Sequence, residues 1–102
     1  MPKFVYVYHG GGKPDADTDM AKVMAAWNSW LDGVNAVDRG APVGMSSTVH
    51  PGGSVSDDGG ANPTSGYSIV EASNKDDAVA RAKGCPILDS GGSVEVCEIM
   101  QM

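Results

Sequence analysis

The stretch NPTSGYSIVEA, residues 62–72, underlies the prediction of the fold because it changes from loop to strand within a few residues. Its first residues are turn formers, and residues 67–72 carry the aromatic and β-branched side chains typical of a strand. Asn74 follows as a helix N-cap, with Asp77 at the third helical position. The stretch therefore predicts a loop exit, a strand and a capped helix, in that order.

The helix after this stretch has a well-marked end. Gly84 is placed to end it, and Pro86 prevents its continuation. Small side chains on one face would let it lie close to the sheet: Ala78, Val79 and Ala82. Residues 87–88 are expected to turn into the core. A last strand is predicted over residues 93–100, with Val94 and Val96 facing one way and Cys97 and Ile99 the other.

Residues 3–9, KFVYVYH, form the first predicted strand. Aromatic residues occupy one face and valines the other: Phe4, Tyr6 and Tyr8 against Val5 and Val7. Because both faces are apolar, both are expected to be covered. One layer of helices can cover one face in a chain of 102 residues, so a second copy is predicted to cover the other.

The middle of the chain predicts a helix, a weak strand and a long loop. The helix is expected from about Thr18, with Asp17 or Thr18 as N-cap and Gly33 as its stop. Its apolar residues follow three- and four-residue steps: Met20, Val23, Met24, Trp27, Trp30, Leu31 and Val34. Residues 34–39 are expected to be irregular, residues 41–50 to form the second strand, and residues 51–66 to form a glycine-rich, lid-like loop.

The elements follow the order β-α-β-β-α-β within one domain, residues 1–102. This order predicts an α+β fold of the ferredoxin-like class, with a four-stranded antiparallel sheet and two helices on one face. The other face of the sheet is predicted to be the surface through which a homodimer forms.

The composition excludes several classes of partner. The net charge of −6 argues against binding to nucleic acid and to anionic membranes, which favour Lys and Arg. The sequence has no run near 18 apolar residues and no apolar signal core, so a cytoplasmic location is expected. The two cysteines, Cys85 and Cys97, are expected to be free thiols in a reducing compartment, with one disulfide as the alternative.

Several short motifs resemble the YCII-related proteins of the dimeric α/β barrel superfamily. They are YVYHG at 6–10, the helix around Trp27, GAPVG at 40–44, GYSIVEA at 66–72, Asp77-Ala78, Cys85-Pro86 and Gly91-Gly92. The resemblance implies ferredoxin-like protomers, sheets packed face to face in a dimer, and a cleft between sheet and helices. In some relatives a His/Asp pair has been suggested as an acid/base site, with an Asp-Pro after the second helix. Here Cys85-Pro86 stands at that position.

His9 is the candidate catalytic residue because its imidazole ends a strand beside three glycines and could act as a general base. The alternative is a strand-end histidine hydrogen-bonded to loop backbone. Asn62, Ser65 and Tyr67 could bind the oxygens of a ligand, although turn hydrogen bonds explain Asn62 and Ser65 equally well. Trp27 could line an apolar ligand site, with core packing as the alternative.

Other reactive residues are interpreted as structural. Cys85 follows a helix C-terminus, where the helix dipole disfavours a thiolate, so a core position is expected. His50 opens the exposed loop, and Asp57-Asp58 is interpreted as solvated charge rather than a metal site. The run GGGK at 10–13 lacks the spacing of a nucleotide-binding P-loop. No metal or cofactor is predicted.

These residues predict a small-molecule enzyme without a tightly bound cofactor, performing acid/base chemistry of the isomerase or lyase type. His9 would be the acid/base group, and Asn62, Ser65 and Tyr67 would orient the substrate beneath the 51–66 loop. The alternatives are a non-catalytic binding or regulatory module that uses the same cleft, and a structural dimer without a ligand.

Overall fold

The computed structural model describes residues 1–11 and 19–101. The elements are β1 Lys3–His9, α1 Met20–Gly33, β2 Ala36–Pro42, β3 Thr48–Val49, β4 Val55–Ser56, β5 Thr64–Glu71, α2 Lys75–Ala82, a 3-10 helix Pro86–Ser90 and β6 Ser93–Glu98. The N-cap candidates Asp17 and Thr18 lie outside the described residues, as do Gly12 and Lys13. No helix within the described ranges is long and apolar enough to span a bilayer.

The main sheet has four strands in the order β2-β5-β1-β6, and every neighbouring pair is antiparallel. β1 pairs with β5, beginning with Lys3 opposite Glu71, and the register shifts between Tyr8 and His9. On its other side β1 pairs with β6, and His9 lies opposite Ser93. The predicted α+β fold with a four-stranded antiparallel sheet and two helices is confirmed, and it is consistent with a ferredoxin-like arrangement.

The covered face of the sheet, which carries Phe4, Tyr6 and Tyr8, holds the core. Tyr6 stacks on Trp30 of α1 with ring centroids 5.7 Å apart. Its hydroxyl donates to the carbonyl of Ala78 in α2 at 2.5 Å. Tyr8 meets Trp27 edge to face at 5.0 Å. Both helices therefore pack on the same face of β1, as predicted.

The opposite side of the sheet is called the open face here. Its central residues are half-buried and apolar: Val5, Val7, Ile69 and Cys97. Val5 lies between Ile69 and Cys97, and Val7 lies between Tyr67 and Glu95. None of the elements in residues 1–11 and 19–101 packs over this face, because both helices are on the other side.

The second strand lies at a different place from the prediction. β2 runs over Ala36–Pro42, so residues 36–39 are strand rather than irregular, and the strand predicted over 41–50 was wrong for most of its length. The pairing with β5 contains two register irregularities, which hide the strand in the sequence. Gly40 has φ +71°, and a Cβ there would lie 1.7 Å from the carbonyl oxygen of Tyr67. Only glycine allows this close approach of β2 to β5.

The predicted loop over residues 51–66 contains the two-residue strand β4 and the first residues of β5, and the rest of the range is turn, bend or irregular. Residues 43–63, called the arm here, contain the short hairpin β3–β4, in which Thr48 pairs with Ser56. The amide of His50 donates to the carbonyl of Ser54 at 2.7 Å and closes the turn. β5 already begins at Thr64, three residues before the predicted start at residue 67.

The first helix differs from the prediction at both ends. Its N-cap is Asp19, whose carboxylate accepts from the amide of Lys22 at 3.3 Å. Gly33 is helical, and the chain instead reverses after it at Asn35, which has φ +61°. The first half of the apolar stripe is exposed: Met20, Val23 and Met24. Only the second half of the stripe packs on the sheet.

The second half of the chain follows the prediction more closely. The side chain of Asn74 accepts from the amide of Asp77 at 2.8 Å, which confirms the cap of α2. Ile87 is buried, but Leu88 is exposed. β6 ends at Glu98 rather than at residue 100. Both cysteines are free thiols, as expected.

Candidate functional site

His9 lies at the end of β1 with both ring nitrogens engaged. Its Nε2 is 2.9 Å from Oε1 of Glu95 on β6. Its Nδ1 is 2.9 Å from the carbonyl oxygen of Asn62 and 3.3 Å from that of Pro63, at the base of the arm. The His9 side chain is only 11% exposed, whereas that of Glu95 is 59% exposed. A single ring thus joins the end of β1, the strand β6 and the arm.

The partners of the ring determine its protonation state. Carbonyl and carboxylate oxygens only accept hydrogen bonds, so each ring nitrogen must donate one. With Glu95 ionised, both ring nitrogens make hydrogen bonds only in the doubly protonated imidazolium form. The hydrogen bond to Glu95 is the largest cause that raises the pKa of His9 above its ordinary value, and the carbonyls of Pro63 and Asn62 add to it, while burial opposes them.

Glu95 is a candidate site residue that the sequence prediction did not name. Its neighbours Val94 and Val96 pack against the core, so the alternation of β6 places Glu95 on the open face. Its Oε2 lies 3.8 Å from the sulfur of Cys97 on the same face. The signal was present: the predicted facing of Val94 and Val96 already put residue 95 on the other side. The pairing of β6 with β1 brings it beside His9.

The predicted ligand-binding residues at the arm exit are Asn62, Ser65 and Tyr67, and each has a different kind of contact. Asn62 contributes its backbone carbonyl. Ser65 accepts from the amide of Val43 through its carbonyl oxygen, at 3.0 Å. Its own Oγ is buried and has no hydrogen-bond partner among the described residues. Tyr67 lies opposite Val7, in the row of the open face that also contains Glu95.

Trp27 is separated from these residues by the sheet. It packs against Tyr8 and Trp30 on the covered face, whereas His9 and Glu95 lie on the open face. Because Tyr8 points toward the helices, its neighbour His9 points away from them. The predicted cleft between sheet and helices therefore does not contain His9, and Trp27 does not share a site with it.

The other titratable groups of the covered face are held in their neutral forms. Burial raises the pKa of the Cys85 thiol to about 11, so the thiol stays protonated at neutral pH. Burial also raises the pKa of Tyr8, whose hydroxyl donates to Ser68 Oγ at 2.8 Å. Ser68 in turn donates to the carbonyl of Arg39 at 2.7 Å. These contacts serve packing rather than chemistry.

The polar residues of the arm bond within the arm. His50 Nε2 lies 2.7 Å from Ser56 Oγ. Asp58 accepts from the amide of Gly60 at 3.2 Å, and its carbonyl accepts from the hydroxyl of Thr48 at 2.6 Å. In residues 1–11 and 19–101, no group of three or more His, Cys, Asp or Glu side chains is arranged to hold a metal ion.

Comparison with known proteins places the chain by its sequence. Residues 4–102 match the family model of the YCII-related domain. Neither the curated proteins nor the solved structures contain a significant match to the chain. The matched range includes His9, the arm and Glu95, so the site described above lies inside the family domain. The chain belongs to the YCII-related domain family.

Proposed function

We propose that this protein is a small-molecule enzyme without a tightly bound cofactor, performing acid/base chemistry of the isomerase or lyase type. The observation that carries the proposal is the pair of His9 and Glu95, joined at 2.9 Å on the open face. The pair combines a proton donor that is held in place with a carboxylate that solvent and a ligand can reach. The pair also contains a carboxylate, Glu95, in a chain that has Cys85-Pro86 instead of the Asp-Pro of some relatives.

The roles of the two residues follow from their contacts. In the imidazolium form His9 has no free lone pair, so it cannot accept a proton from a substrate. Glu95 is therefore the base, and its outer oxygen takes a proton from a carbon acid. His9 stabilises the resulting anion and returns a proton to it through Nε2, and the proton held by Glu95 then passes to Nε2 across the 2.9 Å contact and restores the pair. Tyr67, 38% exposed in the next row of the sheet, is placed to orient an oxygen of the substrate.

We place the homodimer interface on the open face. Its half-buried apolar residues form a band beside the site: Val5, Val7, Ile69 and Cys97. A second sheet packed on this band would remove it from water and form a wall at the end where His9 and Glu95 lie. Sedimentation that finds only monomer at micromolar concentration would overturn this interface. The acidic surface and the two free thiols support a cytoplasmic location.

The engagement of both His9 nitrogens also favours the second candidate function, a non-catalytic binding or regulatory module. A ring that is fully hydrogen-bonded to protein atoms holds a structure together without any need for turnover. The same open-face site would then hold a small ligand, with Glu95 and Tyr67 as its polar contacts. The two functions differ in whether a proton leaves the ligand.

The test begins with a ligand found by thermal shift screening of small carbon acids. Exchange of its acidic C–H for deuterium is then followed by NMR in D₂O with the native protein. Glu95→Gln should slow the exchange by at least about a hundredfold, the lower range for loss of a general base. Glu98→Gln is the matched control, since Glu98 is an exposed carboxylate on the same strand. Binding without exchange would support the binding module, and unchanged exchange in Glu95→Gln would exclude Glu95 as the base.

A further inference from the structure

The arm, residues 43–63, is attached to the domain without a hydrophobic core of its own. None of the buried apolar side chains comes from it. Met45 is 99% exposed and Val49 is 70% exposed. The position of the arm therefore depends on its hydrogen bonds to the sheet rather than on burial of apolar area.

Those hydrogen bonds lie at the two ends of the arm. At its start, the amide of Val43 donates to the carbonyl of Ser65 at 3.0 Å. At its end, Nδ1 of His9 reaches the carbonyls of Asn62 and Pro63 at 2.9 Å and 3.3 Å. The contacts of the hairpin between these ends join parts of the arm to each other. His9 is thus a side chain of the sheet that binds the returning end of the arm.

We infer that protonated His9 is a clamp that fastens the arm to the sheet, and that loss of its proton releases the returning end of the arm. The imidazolium can donate to the arm and to Glu95 at once. A neutral ring has one N–H and must give up one of the two donations. The bond to the Glu95 carboxylate is charge-assisted and is therefore the stronger one to keep. The Nδ1 lone pair would then face two carbonyl oxygens, which repel it.

The groups around the ring support this assignment. On β6 its neighbours are Glu95, which is charged, and Ser93, which is neutral. On β5 the residue opposite His9 is Thr64, which carries no charge. The arm presents only backbone carbonyls to the ring, since its Asp58 bonds to Gly60. Among the described residues that form the contact between the ring and the arm, only His9 can change its charge by gaining or losing a proton.

The consequence for catalysis depends on the proposed function. If Glu95 and His9 act as proposed, the proton given to a reaction intermediate leaves from Nε2 and the N–H on Nδ1 remains, so the arm stays fastened during the reaction. The clamp itself needs no substrate and is tested without one.

The experiment measures amide hydrogen exchange of residues 44–63 between pH 5.5 and 9, after correction for the intrinsic pH dependence of exchange. The titration of His9 is followed in parallel by NMR of its ring protons. Protection of the arm should be high when His9 is protonated and should fall about threefold as pH rises through the pKa of His9, within the limit expected for an ion pair with an exposed partner. Amides of β1 report any global change.

Two variants keep the test specific. His9→Gln should remove the pH dependence, because its amide does not titrate. His50→Gln changes the arm's own histidine and should leave the transition in place. Arm protection that stays constant while His9 titrates, or a transition that persists in His9→Gln, would overturn the clamp. The hydrogen-exchange experiment does not measure turnover, so the two proposals can fail separately. An inactive protein with a pH-dependent arm would exclude only the proposed enzyme. An active protein with a pH-independent arm would exclude only the clamp.

Discussion

The two faces of β1 are made from alternate residues of one strand, yet they satisfy their polar groups in different ways. On the covered face, the hydroxyls of Tyr6 and Tyr8 donate to neutral oxygens in the core. On the open face, His9 pairs with a carboxylate that solvent can reach. Neutral partners suit a dry interior, where an unpaired charge is costly, and charged partners suit a surface where protons can enter and leave. Stability and candidate chemistry are therefore separated by the thickness of one sheet.

The largest expected effect tests whether the covered face carries the stability. Tyr6→Ala removes a fully buried ring that stacks on Trp30, and should lower the free energy of unfolding by about 4 kcal/mol. Val7→Ala, the next residue on the open face, should cost about 1 kcal/mol in the monomer, because its side chain is only half-buried. Urea unfolding at a protein concentration that gives monomer measures both. Equal losses would contradict the separation of the two faces.

A smaller effect compares two tyrosine hydroxyls. Tyr8→Phe removes a buried donor to Ser68 and should cost about 1 kcal/mol. Tyr67→Phe changes an exposed hydroxyl of the open face and should leave the free energy of unfolding nearly unchanged. Thermal unfolding of the two variants beside the native protein measures the difference. If Tyr67→Phe proves the more damaging change, the open face contributes more to folding than its exposure indicates.

The smallest effect is the pH dependence that His9 adds to stability. The pKa of His9 is raised in the folded protein, so folding is coupled to proton uptake by His9. The resulting contribution to the free energy of unfolding is complete below the ordinary pKa of 6.5. It is lost as pH rises through the raised pKa. Since Glu95 is exposed, we expect less than about 1 kcal/mol. Urea unfolding from pH 6 to pH 9 should show this decline in the native protein and not in His9→Gln, with His50→Gln as the control.

Local signals in the sequence were sufficient where one element decides its own structure. The cap formed by Asn74 and Asp77 needs only residues three apart, and the alternation of β1 needs only one strand. β2 was misplaced because its pairing with β5 depends on irregularities around Gly40 that no periodic pattern reveals. The hairpin of the arm was missed because each of its strands has two residues, too few to show an alternation.

The candidate site shows the same limit. His9 was named as a candidate because its chemistry is visible in one residue, and its Nδ1 is hydrogen-bonded to loop backbone, which was the alternative interpretation. Glu95 was not named because its contact with His9 requires two residues 86 positions apart in the chain to lie side by side. Trp27 was assigned to a ligand site because an aromatic side chain suits an apolar ligand. The side of the sheet on which it lies is set by the packing of α1, which the sequence does not reveal.

The independence of the arm from the core has a consequence for how this family domain can change. Inserting residues into a connection that buries nothing costs mainly loop-closure entropy, about 0.6 kcal/mol for each doubling of its length. The strands at both ends, β2 and β5, stay paired through residues outside the arm. The arm can therefore be lengthened, shortened or exchanged between relatives while the sheet keeps its register, which makes it the natural segment for grafting new ligand contacts beside His9.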